Sequence, residues 1–219
     1  MKRREFALSS TTAAVSLTLA GLSGLISPAM AQGGAPVEGK DFQRVAQPVP
    51  VPEGKVDVVE FFGYWCPHCN AFEPLLDAWS RKLPAAQVSF RRVPIAFNAA
   101  QEPMQRLYFA LEALGLVESL HRKVFAALHV QHQRLDKDAD ILAWAQANGA
   151  DGAKIVDTMK SFSIATKLRQ AKQLAEGFRI EGVPTLGIAG RYMTSPSIAG
   201  TPEHALAVAD ALIAQSRKG

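Results

Sequence analysis

The chain of 219 residues contains two cysteines, and they stand three positions apart. Cys66 and Cys69 enclose Pro67 and His68, directly after an apolar run and at the start of a helical pattern. A disulfide across two intervening residues closes almost no loop, so it would add little stability. The pair is therefore predicted to carry redox chemistry rather than to act as a structural staple.

The expected position of this pair at a helix start favours an ionised Cys66. Unpaired N–H groups and the positive end of the helix dipole stabilise an anion there, and such sites lower a thiol pKa from about 8.5 to roughly 3.5–7.5. A protonated His68 would lower the pKa of Cys66 further. If that pKa were roughly 4, the thiolate would stabilise the reduced protein by roughly 4 kcal/mol at pH 7, or about 90 mV for a two-electron couple. We expect Cys66 to be the more exposed sulfur, in a protein that gives its disulfide away readily.

Two other uses of the pair remain open, an inert structural disulfide and half of a zinc site. Zinc requires four ligands, and the chain has no second pair of cysteines. His129 and His132 could supply ligands, but their spacing is more typical of a solvated helix face. We therefore expect neither a metal nor a cofactor.

A second segment with chemical potential is Gly182-Val183-Pro184-Thr185, which precedes a predicted strand. Proline belongs at the start of a strand because it cannot donate to the sheet. One interpretation is an ordinary turn. The other is a cis Val183–Pro184 bond that directs backbone groups toward an extended peptide beside Cys66.

A third feature is Glu60, which stands alone in an apolar run, six residues before Cys66. A buried carboxylate costs several kcal/mol unless it is paired, hydrated or protonated. We interpret Glu60 as an acid that exchanges protons with the thiol of Cys69. The alternative is a solvated glutamate at the edge of a sheet.

The elements that must position these residues follow from the spacing of apolar side chains. The predicted order is a short edge strand at 42–45, a strand at 56–62, a helix at 66–82, a strand at 88–95, four amphipathic helices within 101–162, a longer helix at 164–178, a strand at 185–189, a strand through Tyr192 and a last helix opened by Thr201 and Pro202. This order predicts one α/β layer structure with an all-helical insertion. The expected parts are residues 40–98, the insertion 99–162 and residues 163–219.

Taken together, these motifs resemble the thioredoxin superfamily, and within it the DsbA-type disulfide oxidases. The resemblance covers about residues 40–215 and rests on Cys-Pro-His-Cys, on Glu-Phe-Phe at 60–62, on the helical insertion and on Gly-Val-Pro at 182–184. It implies a thioredoxin fold and dithiol–disulfide exchange that introduces disulfides into exported proteins. A reductase or isomerase of the same fold remains an alternative, as does a non-catalytic periplasmic chaperone.

The resemblance also implies roles for particular residues. Cys66 corresponds to the nucleophile, Cys69 to the resolving cysteine and His68 to the thiolate stabiliser. Pro184, flanked by Val183 and Thr185, corresponds to the cis-proline that contacts the substrate. Glu60 corresponds to a buried acid that the family often pairs with a lysine on the next strand; here Arg91 or Arg92 would replace that lysine, and arginine cannot release a proton. Implied partners are reduced, unfolded secreted proteins and a quinone-linked inner-membrane reoxidant of the DsbB kind.

The first 31 residues have the three parts of a secretory signal peptide. Lys2, Arg3 and Arg4 precede a stretch of small and apolar residues at 13–26, and small residues lead to a cleavage site after Ala31. A twin-arginine signal is matched in part, so the Sec and twin-arginine routes both remain open. We expect a periplasmic protein, most simply a monomer. Cleavage lowers the net charge from +4 to about +2, which argues against nucleic acid as a partner.

Overall fold

A five-stranded mixed sheet forms the centre of the computed structural model, which describes residues 34–217. The signal peptide, its cleavage site and the export route lie outside the described residues. The strands are β1 (Gln43–Arg44), β2 (Val56–Phe62), β3 (Val88–Pro94), β4 (Thr185–Ile188) and β5 (Tyr192–Thr194). Their order is β1-β5-β4-β2-β3, with β2 and β3 parallel and the other neighbours antiparallel. The short strand expected near residue 43 does lie at an edge.

The second strand is buried along its whole length because both faces of the sheet are covered. Its residues divide between two apolar clusters on opposite faces. In the parallel register with β3, Glu60 lies opposite Arg92, and Val59 lies opposite Arg91. Successive side chains in a strand point to opposite faces, so the two arginines serve different faces of the sheet.

In the part of the chain that the structure describes, eight α-helices surround the sheet. They are α1 (Pro67–Ser80), α2 (Glu102–Ala113), α3 (Val117–His129), α4 (Asp138–Ala147), α5 (Gly152–Met159), α6 (Phe162–Phe178), α7 (Pro196–Ala199) and α8 (Pro202–Ser216). The side chain of Thr201 accepts the N–H of His204 and begins α8, which is the capping role that the sequence predicts. Four consecutive helices, α2 to α5, follow β3, as the apolar stripes predict.

These four helices, which we call the helical block, pack into the same compact body as the sheet, which begins at residue 35. Aromatic and aliphatic side chains of α2, α3 and α5 share one core cluster with Phe61 and Phe62 of β2. Division of the chain at residues 98/99 and 162/163 remains a prediction. Within residues 34–217, no helix is both long and apolar enough to cross a bilayer.

Candidate active site

Residues 63–66 form a tight turn that carries the chain from β2 into α1. The N–H of Cys66 donates to the carbonyl of Gly63 at 3.0 Å. The indole N–H of Trp65 donates to the carbonyl of Ile95 at 3.0 Å. A side chain at Gly63 would place its Cβ 2.4 Å from this indole ring. The turn therefore needs glycine at position 63, and it places Cys66 directly before the first residue of the helix.

Cys66 occupies the N-cap of α1 in an extended conformation, and no side-chain oxygen caps the helix. Pro67 follows as the first helical residue, where its missing N–H leaves nothing unsatisfied. The pKa of Cys66 is lowered to about 6, chiefly by a hydrogen bond from the thiol of Cys69 and further by the backbone N–H groups of Cys69 and His68. The charge of the exposed His68 side chain has the smallest effect on that pKa. The pKa of Cys66 therefore lies within the range of roughly 3.5–7.5 expected for a helix start, but the thiol of Cys69 contributes more to it than the helix start and His68 do.

The partner thiol has the opposite property. Burial raises the pKa of Cys69 strongly, and the nearby Cys66 and Glu60 raise it further. Cys66 is 4% exposed and Cys69 is 1% exposed, so Cys66 is the more accessible of the pair, as expected. Both cysteines are free thiols in the structure. The site thus combines one sulfur that ionises near pH 6 with a neighbour that stays protonated.

The segment at 182–185 lies directly against this pair. The Val183–Pro184 peptide bond is cis, and the protonated thiol of Cys66 donates to the carbonyl oxygen of Val183 at 3.4 Å. The hydroxyl of Thr185 donates to the carbonyl of Gly182 at 2.9 Å and fixes the turn. An open cleft of about 580 Å³ begins here, lined by Val183, Pro184, Thr185, Met193 and Ile198 among others.

Glu60 is buried and paired, not solvated. It is 1% exposed, and its Oε2 lies 3.0 Å from Nε of Arg92. Burial raises the pKa of Glu60 to about 8, while the charge of Arg92 opposes this shift. Arg91 instead forms a two-point ion pair with Asp57, at 3.1 and 3.0 Å. The structure thereby identifies Arg92 as the partner of Glu60.

Two further buried residues, which the sequence motifs do not indicate, join Glu60 and Arg92. Glu73 of α1 accepts from Nη2 of Arg92 at 2.7 Å, and His121 of α3 places Nε2 3.3 Å from the other oxygen of Glu73. The spacing of Glu73 could have indicated that it is buried, because it falls on the i, i+3, i+4, i+7 face of α1 that also carries Cys69, Phe72 and Leu76. No local pattern identifies His121 as its partner.

The expected solvated helix face at His129 was wrong. Nε2 of His129 contacts the carbonyl oxygen of Tyr64 at 2.7 Å, and the ring is partly buried. His132 is exposed beyond the end of α3. Among residues 34–217, no group of three or more histidine, cysteine or acidic side chains could hold a metal ion.

An acidic cysteine at a helix start, a buried cysteine one turn on and a Val-Pro turn against them define a dithiol oxidoreductase on a thioredoxin-type scaffold. Residues 57–203 match the family model of the DSBA-like thioredoxin domain. The chain belongs to this family, and it is a protein thiol:disulfide oxidoreductase that introduces disulfide bonds. The predicted thioredoxin fold with an inserted all-helical region is confirmed.

Individual relatives support the assignment. The chain is 42% identical over 200 residues to the thiol:disulfide interchange protein DsbA of Bordetella pertussis. The aligned region covers 90% of this chain and 93% of the relative. It is 38% identical over 180 residues to the protein of that name from Pseudomonas aeruginosa, with 82% and 85% covered. The crystal structure of Pseudomonas aeruginosa DsbA superposes with a TM-score of 0.79 at 38% identity, over 82% of this chain and 94% of that one.

Proposed function

We propose that Cys66 is the nucleophilic sulfur of a periplasmic oxidase that acts on reduced, newly exported proteins. A substrate thiolate attacks the sulfur of Cys66 in the disulfide form, and Cys69 departs. A second substrate thiol then attacks the mixed disulfide and releases Cys66. The observation that carries this proposal is the position of Cys66 at the N-cap of α1 beside the buried Cys69. The pKa of Cys66 is lowered there, and a sulfur that is stable as an anion is a good leaving group.

The residues around the cysteines receive matching roles in this proposal. Val183, Pro184 and Thr185 form the edge of the cleft at which an extended substrate segment would lie, with its cysteine beside Cys66. Pro67 begins the helix at a position where its missing N–H would have no partner within the helix. The backbone N–H and the side-chain charge of His68 both lower the pKa of Cys66 and so stabilise its thiolate. Glu60 exchanges protons with Cys69, whose pKa responds to its charge.

The reoxidant in this proposal is a quinone-linked inner-membrane protein of the DsbB kind, and the oxidase acts as a monomer after cleavage at Ala31. Oxidation of clients leaves the dithiol form, so a continuous reaction requires an electron acceptor. If this partner operates, cells that lack it accumulate the dithiol form of the full-length exported protein. A fully oxidised population in those cells would contradict it.

Substrate trapping tests the proposal directly. A Cys69→Ala variant cannot resolve mixed disulfides, so it is expected to accumulate covalent adducts with exported cysteine-containing proteins. The matched control, Cys66→Ser combined with Cys69→Ala, is expected to form none. A wide set of adducts indicates a general oxidase and a single adduct a dedicated one. Restoration of function by a variant with serine at both positions would instead favour a chaperone.

A further inference from the structure

A cluster of four charged or ionisable side chains lies buried between the sheet, α1 and the helical block. Its members, which we call the acid cluster, are Glu60, Glu73, Arg92 and His121, with side-chain exposures of 1%, 4%, 13% and 6%. Arg92 bridges the two carboxylates at 3.0 and 2.7 Å. Each member comes from a different element, β2, α1, β3 and α3.

The acid cluster has one fixed positive charge for two carboxylates. Arginine does not lose its proton, and an uncompensated buried charge is costly. The cluster therefore retains one proton near neutral pH, and Glu60, Glu73 and His121 are the groups that can carry it. Glu73 contacts two groups that can be cations, Arg92 at 2.7 Å and His121 at 3.3 Å, whereas Glu60 contacts one, Arg92 at 3.0 Å, so Glu60 is the carboxyl group on which the proton costs less. Glu60 and His121 remain as the two groups that can carry the proton.

The surroundings of His121 accommodate both its neutral and its protonated form. Nδ1 lies 2.8 Å from the hydroxyl of Tyr64, which can donate to a neutral ring or accept from a protonated one. Nε2 of His121 faces Oε2 of Glu73, and Nε of Arg92 faces Oε2 of Glu60. None of these four atoms has a hydrogen bond of good geometry, so each of the two is a contact between charged or ionisable groups and not a well-formed hydrogen bond.

The groups that face His121 come from several elements. They are Glu73 and Asp77 of α1, Arg92 of β3, Tyr108 of α2 and Tyr64 of the active-site turn. Burial lowers the pKa of His121, while Glu73 opposes this shift. Loss of the proton from Glu60 would add a negative charge to the cluster, and this charge would raise the pKa of His121.

We propose that His121 is a positioning residue for the redox reaction, because it is a second group that can bind the single proton of the acid cluster. With the proton on His121, Glu60 is a carboxylate that can accept the proton of Cys69, and the cluster stays neutral. This inference rests on the proposed function of Glu60 and Cys69 and goes beyond it by including a residue of the helical block.

The chemical step is resolution of a mixed disulfide between Cys66 and a small thiol. The proton of the Cys69 thiol passes to the carboxylate of Glu60. The Cys69 thiolate attacks the sulfur of Cys66, the Cys66–Cys69 disulfide forms, and the small thiol leaves with the electron pair. His121 then returns its proton to solvent. Of the acid cluster, Arg92 borders an open cavity, of about 220 Å³.

The proposal predicts a distinctive dependence on pH. Burial raises the pKa of Glu60 to about 8, so an isolated Glu60 would lose about tenfold in its carboxylate fraction for each pH unit below that value. Moving the proton between Glu60 and His121 leaves the total number of protons unchanged. The population with Glu60 ionised and His121 protonated is therefore independent of pH, and it keeps the reaction active at pH 6–7.

Reoxidation of the full-length dithiol protein by oxidised glutathione tests this. The release of glutathione from the mixed disulfide is followed in acid-quenched samples between pH 6 and 8. We expect a nearly flat rate for the wild type and a fall of about tenfold per pH unit in His121→Gln, which keeps an N–H donor but cannot be protonated. His132→Gln, at an exposed position beyond the end of α3, should behave like the wild type. A flat profile for His121→Gln would overturn the proposal.

Two further measurements test whether His121 acts through Glu60, and a third tests the proposed function by itself. In a Glu60→Gln background, His121→Gln should produce no additional change, and an undiminished effect there would refute coupling through Glu60. In the otherwise unmutated protein, the ring ¹⁵N shifts of His121 should titrate at a higher pH than in Glu60→Gln; equal midpoints would also overturn the proposal, even if His121→Gln fails to fold. Oxidation of a reduced client by the wild type tests the proposed function separately.

Discussion

Replacing Cys69 with alanine should raise the pKa of Cys66, because the thiol of Cys69 is the first cause of its low value. A hydrogen bond to a charged group contributes about 1.5–3 kcal/mol, and a pKa unit corresponds to about 1.36 kcal/mol. Sulfur is a weak donor, so the lower end applies, about one unit. The pKa of Cys66 is therefore expected to rise from about 6 in the wild type to about 7 in the variant. The backbone N–H groups of residues 68 and 69 keep it below the value of an ordinary thiol.

Cys69→Ser is the matched control, because its hydroxyl retains a donor at the same place. We expect the pKa of Cys66 to stay near 6 in this variant. His68→Gln should also change it little, because the charge of His68 is the smallest of the contributions. Each Cys69 variant has a single cysteine, so the ultraviolet absorbance of its thiolate can be followed against pH without ambiguity. Equal pKa values in the alanine and serine variants would refute the hydrogen-bond explanation and assign the shift to the helix start.

Three other predictions concern stability. Because folding lowers the pKa of Cys66 from 9.0 to about 6, the dithiol form should gain stability over the disulfide form as the pH rises from 6 toward 9, and lose that gain as the pH falls through 6; urea unfolding of both forms checks this, and parallel pH profiles would contradict it. Arg92→Met removes the fixed positive charge from two buried carboxylates and should cost about 3–5 kcal/mol in the free energy of unfolding, whereas a loss under about 1 kcal/mol would show that both acids become neutral at little cost. Gly63→Ala should cost about 1–3 kcal/mol through overlap with the neighbouring indole and slow client oxidation, and wild-type values for both would show that the turn can adjust.

The strength of the leaving group follows from the same pKa. At pH 7 a thiol with a pKa of about 6 is mostly ionised, but the stabilisation relative to an ordinary thiol is then only about 1.4 kcal/mol, or about 30 mV. A pKa of roughly 4 would have given about 90 mV. The lowered pKa of Cys66 therefore favours the reduced form in the expected direction, and by less than a pKa of roughly 4 would.

The helices and strands could be predicted largely from the sequence because their apolar residues repeat at regular intervals. The second strand was predicted with its observed bounds, Val56–Phe62, since an apolar run ended by glycine has few other interpretations. Helix α7, Pro196–Ala199, was missed because four residues are too few to establish a period. The expected helix around Cys66 begins one residue later, since Cys66 itself is the N-cap.

Within the active site, residues that act through local position could be predicted, and residues that act through tertiary pairing could not. The cysteines and Pro184 stand in short motifs whose chemistry can be inferred from spacing. The choice between Arg91 and Arg92 depends on the register of β3 against β2, which the local sequence does not specify. The pairing of Glu73 with His121 spans 48 positions and depends on how α3 packs against α1.

The helical block supplies His121 to the acid cluster and His129 to the carbonyl of Tyr64. An evolutionary exchange of this block for another helical module would therefore change the protonation of the active site, even if every residue of the sheet and of α1 were kept. A chimera that takes the helical block from a relative should be functional in two cases only. Either the new block also has an imidazole at the position of His121, or the acid cluster has lost one of its two carboxylates. The insertion and the scaffold are consequently expected to diverge together.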